Sequence, residues 1–306
     1  MPGAVSPAVK ERISPMAAFS DILLTVDFDR TLTAPDSTIP QRNLDAIRFF
    51  MENGGAFTVN TGRSVPTFRS LMDIIPANAP YLLYNGSGAY DPVEGQLTLQ
   101  RPIDLPMLKT LEAVHAKFPE MNLEIQGIDA HYCYHDAGNW ELFCDALNCD
   151  RAFMKPGGTY GPFLKFCLFG QVREPSVNHL FHGSQEELAR MDEAEAWLNE
   201  TFGDKVAVFR AAPRIIDVHA KGVSKIRAAR ELQEKLGRKI LVCVGDAEND
   251  IPMLLGADYA YSPCDGVVAD RFPNVCECGK GAVADVIYKK IPEILGFTLD
   301  NQPSVC

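Results

Sequence analysis

Apolar residues occur along the chain in two textures, short unbroken runs and stretches where they recur every three or four positions. Residues Asp21 to Phe28 form a continuous run rich in Leu, Ile and Val, the pattern of a strand buried on both faces in a parallel sheet. After a loop containing Pro and Thr, Leu44, Ile47, Phe50 and Met51 recur at helical spacing, with Pro40 suited to a first turn and Gly54 to a C-cap. Ala56 to Asn60 is a second run, Pro66 to Ile75 a second helix, and Tyr81 to Tyr84 a third short run. Strand, helix, strand, helix, strand predicts a parallel sheet with right-handed crossovers.

The same grammar returns late. Val223, Ile226, Leu232 and Leu236 mark a helix closed by Gly237, Lys239 to Val244 a buried strand, Asn249 to Leu255 a short helix and Tyr259 to Tyr261 another strand. Between Gly88 and Asp217 the texture changes. Helices are predicted at Leu105 to Phe118, Asn139 to Leu147 and Glu186 to Thr201, and strands at Asn122 to Gln126, Phe163 to Phe169, Val206 to Arg210 and Arg214 to Val218. The expectation is an α/β protein with a Rossmann-like three-layer core around a parallel sheet. Residues 20–87 and 218–306 build that core, residues 88–217 an inserted α+β unit, and residues 1–19, with two Ser-Pro pairs, a loose tail.

Composition narrows the field. An apolar fraction of 46% and a charged fraction of 23% are ordinary globular values. The net charge of -11 argues against nucleic-acid and anionic-membrane partners, which need a basic face. No apolar run approaches the length of a membrane span or a secretory leader. Nine cysteines, an odd number without framework spacing, point to reduced thiols and a cytoplasmic location.

The candidate chemistry lies at strand ends, where open α/β sheets bind ligands. The first run ends Asp27-Phe28-Asp29-Arg30-Thr31-Leu32, with two carboxylates two apart. The second ends Asn60-Thr61-Gly62-Arg63, which offers a hydroxyl, a glycine amide and a guanidinium to phosphate oxygens. The late strand ends Gly245-Asp246-Ala247-Glu248-Asn249-Asp250, an oxygen set suited to a hard divalent cation. If three ends of one sheet bring Asp27, Asp29, Asp246 and Asp250 into one cleft, their repulsion raises pKa values until a cation neutralises them. Lys221 and Lys225 precede the late strand, and either ammonium could neutralise a transferring phosphoryl group. Each piece alone also reads as a capped turn or a solvated face.

DFDRTL, NTGR, KGVSK and GDAEND, in that order, resemble the four motifs of the haloacid dehalogenase superfamily. An insertion between the second and third motifs resembles the C2B cap of its Cof-like, sugar-phosphatase-like branch, and the resemblance covers the chain from Ser20. It implies a Mg²⁺-dependent phosphatase acting on small phosphorylated metabolites, sugar or cofactor phosphates. Asp27 would be the nucleophile that forms an aspartyl-phosphate, and Asp29 the acid and base. Thr61, Gly62, Arg63, Asn85, Lys225 and Asn249 would bind phosphate or substrate, and Asp27, Asp29, Asp246 and Asp250 would surround the metal. Lys225 aligns with the family's lysine, although Ile226 follows it where relatives often carry glycine, which leaves Lys221 as the fallback. Alternatives are a phosphosugar mutase of the same superfamily and a non-catalytic phospholigand-binding protein.

Three weaker signals remain. His131, Cys133 and His135 alternate and would share one strand face, as a metal site or as an ordinary half-buried strand. Cys276-Glu277-Cys278 reads as a loop, because a single spacer suits a redox pair poorly. Asn85-Gly86-Ser87-Gly88 reads as a hinge between core and insertion, or as a simple turn.

Overall fold

The computed structural model describes residues 18–173 and 182–299. Most of the tail expected at residues 1–19, and Cys306, therefore lie outside the described residues. Phe19, at the end of that tail, is fully buried against Phe49, Phe50 and Phe297.

In chain order the strands are β1 (Ile22–Val26), β2 (Ala56–Val59), β3 (Tyr81–Leu83), β4 (Gly88–Asp91), β5 (Gln96–Gln100), β6 (Asn122–Gln126), β7 (His131–His135), β8 (Arg151–Phe153), β9 (Phe166–Phe169), β10 (Val206–Ala212), β11 (Ile215–Ala220), β12 (Ile240–Val244), β13 (Tyr259–Pro263) and β14 (Asn274–Val275). The helices are α1 (Gln41–Glu52), α2 (Val65–Met72), α3 (Met107–Lys117), α4 (Trp140–Ala146), α5 (Gln185–Phe202), α6 (Lys225–Lys235), α7 (Ile251–Leu255), α8 (Ala282–Asp285) and α9 (Ile291–Leu295).

The core sheet has the order β14-β13-β12-β1-β2, with every pairing parallel. All five residues of β1 are buried, as a central parallel strand requires. Period-2 alternation splits them between two cores. Ile22, Leu24 and Val26 join Ile47 and Phe50 of α1 and Val283 of α8 on one side. Leu23 joins Ala228 and Leu232 of α6 and Met253 of α7 on the other. This is the expected three-layer core.

The run at Tyr81 meets β2 through one parallel bridge, Asn60 to Leu82. It then belongs to an antiparallel sheet β3-β4-β5. Asn85 and Gly86 reverse the chain with φ of 54° and 92°, so the residues from Gly88 to Gln100 return as a hairpin. The turn is built in full. Gly86 admits no side chain, since a Cβ there would lie 2.7 Å from the Ser224 carbonyl oxygen.

The third sheet has the order β10-β11-β9-β6-β7-β8 and is antiparallel except between β7 and β8. Leu111 and Val114 of α3 and Ala194 and Leu198 of α5 cover one face, against Leu123, Ile125, Leu168, Ile216 and Val218. On the other, Trp140 and Phe143 of α4 pack with Cys133, Cys167 and Phe169. Capping fixes the helix starts: Ser184 at α5 forms a capping box with Glu187, and Ser64 at α2 forms one with Thr67. No helix among the described residues is long and apolar enough to cross a membrane.

Candidate active site

β1, β2 and β12 lie side by side, so the polar residues that end each apolar run emerge at one edge of the sheet. The β1 ladder continues into the site: Asp27 N–H donates to the Val244 carbonyl at 2.9 Å, and Asn60 N–H to the Val26 carbonyl at 2.8 Å. Asp27 remains extended, after which Asp29 and Arg30 leave helical geometry within a tight turn, Arg30 at φ 59°. Beyond β12 the chain turns at Gly245, where a Cβ would lie 2.7 Å from the Asp250 Cβ. The bare backbone lets Asp250 fold back and accept from the amides of Asp246 (3.1 Å) and Ala247 (3.2 Å) through Oδ2.

Oxygens of Asp27, Asp246 and Asp250 come within 4.8 Å of one another, and all three residues are buried. Lys225, the first residue of α6, donates to Asp27 Oδ1 at 2.5 Å and to Asp250 Oδ1 at 2.6 Å. Thr31 donates to Asp246 Oδ1 at 2.9 Å. Burial, followed by the Asp250 charge, pushes the Asp27 carboxyl well above the usual range against the pull of Lys225. The same two causes push Asp246 up to about 7. Burial works to lower the Lys225 ammonium, but Asp250 and Asp27 outweigh it and raise it. The repulsion expected from sequence is therefore present, with one ammonium facing three carboxylates. Three buried carboxylate oxygens gathered in this way are the donor set that suits a hard divalent cation.

The other expected residues fall into place less uniformly. Asp29 stands apart from the three clustered carboxylates, half-exposed and paired through both oxygens with Arg63 at 2.7 and 2.9 Å. Arg63 also stacks on the Phe28 ring, 4.8 Å from its centroid. Thr61 is buried, and its hydroxyl oxygen accepts from Arg63 N–H at 3.2 Å. Gly62 lies against Asn85, whose amide oxygen would be 3.0 Å from a Cβ there. Asn85 is buried and donates to Asp217 Oδ2 at 3.3 Å and His219 Nε2 at 3.2 Å. Asn249 is half-buried in the turn before Asp250. Lys221 is exposed, and its ammonium binds the Gly203 carbonyl. The lysine brought to Asp27 is therefore Lys225.

Sequence reasoning did not single out the partners supplied by the insertion. Lys165 is buried, pairs with Asp217 at 2.6 Å and donates to the Gly62 carbonyl at 3.1 Å. Its signal was available, because a lysine inside the run Phe163 to Phe169 and an aspartate inside Ile215 to Val218 are charges in strands whose neighbours are apolar. The alternating His131, Cys133 and His135 do not assemble. His131 is buried beside Cys144 and Cys149, whereas His135 is half-buried and reaches the Pro119 carbonyl at 2.8 Å.

A family model described as haloacid dehalogenase-like hydrolase matches residues 24–262. HMP-PP phosphatase of Klebsiella pneumoniae is 23% identical over 284 residues, 91% of this chain and 96% of that protein. 5-Amino-6-(5-phospho-D-ribitylamino)uracil phosphatase of Bacillus subtilis is 24% identical over 234 residues, 76% of this chain and 79% of that protein. A haloacid dehalogenase-like hydrolase structure from Bacteroides thetaiotaomicron superposes with a TM-score of 0.71 at 16% identity, covering 87% of this chain and 97% of that one. Another from Bacillus subtilis gives 0.71 at 17% identity, covering 87% and 99%. The family model spans most of the chain, which therefore belongs to the haloacid dehalogenase-like hydrolases.

Proposed function

We propose that the chain is a Mg²⁺-dependent phosphatase that hydrolyses small phosphate monoesters through an aspartyl-phosphate on Asp27. The observation that carries this reading is the convergence of Asp27, Asp246 and Asp250 on one buried centre beside Lys225. Two curated relatives named as phosphatases support it.

In the first half-reaction a carboxylate oxygen of Asp27 attacks phosphorus as the bond to the leaving oxygen breaks. Lys225 holds Oδ1 of Asp27, which fixes the plane of the carboxylate. Its charge also offsets negative charge gathering on the phosphoryl oxygens. The Thr61 hydroxyl and the Gly62 amide would donate to those oxygens. Asp29, two residues beyond the nucleophile at the mouth of the cleft, would open from Arg63 as it takes up a proton from solvent, and would give that proton to the leaving oxygen. In the second half it takes a proton from water, which attacks phosphorus and releases Asp27. Asp27, Asp246 and Asp250 would hold Mg²⁺, which when bound supplies charge neutralisation and orientation of the phosphoryl group. Residues of the insertion beside the cleft, with the Lys165–Asp217 pair behind them, would read the rest of a small phosphorylated metabolite.

The test is inorganic phosphate release from a panel of small esters, with Mg²⁺ or with EDTA, for wild type and Asp27→Asn. Metal-dependent release lost in the variant is expected. Release that survives in pure Asp27→Asn protein would overturn the assignment, and isomerised phosphate ester without release would point to the mutase.

A further inference from the structure

α4 ends in a reversal closed by two backbone bonds, Cys149 N–H to the Cys144 carbonyl at 3.2 Å and Asn148 N–H to the Asp145 carbonyl at 3.1 Å. Asn148 takes the left-handed conformation, φ 49°. In this Schellman arrangement the residues bonded across its ends, here 144 and 149, bring their side chains into contact, usually as an apolar pair. Both are free cysteines. The backbone therefore sets two thiols together, and their sulfurs and a ring nitrogen of His131 all lie within 4.8 Å of one another.

His131 is fully buried, with Nδ1 3.3 Å from Glu124 Oε1 and Nε2 2.8 Å from Ser64 Oγ at the N-cap of α2. Glu124 is itself held by Trp140 Nε1 at 2.6 Å and Gln126 Nε2 at 2.8 Å. A cavity of about 400 Å³ opens between α2 and the turn from α4 to β8. Cys144 and Cys149 stand in its wall with Arg69 of α2, Asp73 just past the end of that helix, and Asp145, Asp150 and Arg151. None of the three clustered aspartates lines it.

These groups favour a charged sulfur at one position. Burial works to lower the His131 imidazole, but Glu124 prevails and raises it to about 9. A cation beside a thiol favours thiolate. Hydrogen bonding from Cys144 and then from His131 brings Cys149 down to about 6, against burial and Glu124, while Cys144 is pushed up as the donor.

We propose that Cys149 and Cys144 form a reversible redox-modification site at the seam between core and insertion, with Cys149 the nucleophile toward hydroperoxides and Cys144 the resolving thiol. The Cys149 thiolate attacks the peroxide, forming an S–O bond as the O–O bond breaks. The departing oxygen takes a proton and leaves as alcohol, or as water from hydrogen peroxide. The Cys144 sulfur then displaces the hydroxyl of the sulfenic acid, its own proton leaving with that hydroxyl as water. Two thiols lose two electrons to one peroxide, and a dithiol reverses the bond.

The experiment uses the full chain, reduced and freed of metal. It is treated with hydrogen peroxide, alkylated, and cut with a protease that cleaves before aspartate, which separates Cys144 from Cys149 at Asp145. Mass spectrometry is expected to find these two peptides joined and released by dithiothreitol, with Cys133, Cys167 and Cys243 still open to alkylation after unfolding. In Cys144→Ser the bond cannot form, and dimedone should trap a sulfenic acid on Cys149. Without peroxide, Cys149 alkylation should fall less than about 2-fold from pH 8.5 to 6.5, whereas an exposed cysteine in an unstructured peptide falls about 50-fold. His131→Gln should restore the steep slope. A steep slope in the wild type, or linkage through other cysteines, overturns the proposal. So does stoichiometric zinc that blocks alkylation of both cysteines in untreated protein, because the cluster is then a metal centre.

Discussion

Arg63 and Asp29 are joined by a two-pronged ion pair, Nη2 to Oδ1 at 2.7 Å and Nε to Oδ2 at 2.9 Å. The guanidinium is braced from below by the Phe28 ring. A planar fork of this kind fixes the orientation of the carboxylate as well as its position. Arg63→Ala is expected to lower kcat for phosphate release on the order of 10-fold by loosening Asp29, with a smaller change in KM. Arg63→Lys should recover little, since it keeps the charge and loses the fork. Removing the acid and base itself, in Asp29→Asn, should cost roughly 10²- to 10⁴-fold. Steady-state kinetics on one ester, with metal saturating, ranks the three variants, and an Arg63→Ala enzyme with unaltered kcat would remove the positioning role.

Mg²⁺ binding is detectable without turnover. A ligand bound only by the native state stabilises it by about 2.7 kcal/mol at a concentration 100 times its Kd. Mg²⁺ should therefore raise the melting temperature of the wild type, and EDTA should reverse the rise. Asp246→Asn and Asp250→Asn should melt at temperatures indifferent to Mg²⁺. A wild type equally indifferent in differential scanning fluorimetry would argue against the site.

Lys225 holds two buried carboxylates at once. Lys225→Met leaves both unpaired, and breaking a buried pair in this way costs about 3–5 kcal/mol. The variant should be inactive and should unfold at markedly lower urea. Lys221→Met should sit within about 0.5 kcal/mol of wild type, as exposed substitutions generally do, and retain activity.

His219 links the insertion to the core, with Nε2 accepting from Asn85 and Nδ1 facing Ser87 Oγ at 2.9 Å and the Leu164 carbonyl at 3.2 Å. Burial lowers it to about 3, against the pull of Asp217. Between about pH 6.5 and 3 the unfolded chain binds this proton and the native state does not, so stability falls as pH falls through that window. The contribution is largest near its acid end, up to about 4 kcal/mol. His219→Gln should reduce the mean slope of unfolding free energy against pH by about 1.2 kcal/mol per unit between pH 6.5 and 4.5. Equal slopes for the two proteins in urea titrations would show that the imidazole is protonated in the native state.

Local pattern carried far. The run from Ile22 to Val26 reads as a buried parallel strand because a strand covered on both faces has no polar position to spare. The carboxylates that follow it are visible for the same reason, as the first charges after an apolar run. The insertion announces itself by a change of period, and its helices lie within two residues of the expected bounds. These features depend on the chemistry of neighbours in sequence, which the sequence holds in full.

Contacts between distant segments are a different matter. Sequence preferred Lys225 and kept Lys221 as the fallback, and the start of α6 against β1 and β12 is what brings Lys225 to Asp27, 198 residues away. The alternation of His131, Cys133 and His135 suggested a shared face, whereas the thiols that gather at His131 come from α4 and the turn after it. Asp29 was grouped with the clustered carboxylates by adjacency, and Arg63, 34 residues on, draws it aside. Strand and helix formation are decided largely by short-range sterics and burial, so the amino-acid sequence by itself determined most of the longer elements and the order of the motifs, while short strands such as β4 and β5 showed only in the tertiary structure. Which charge meets which is decided by how those elements pack, and that belonged to the tertiary structure alone.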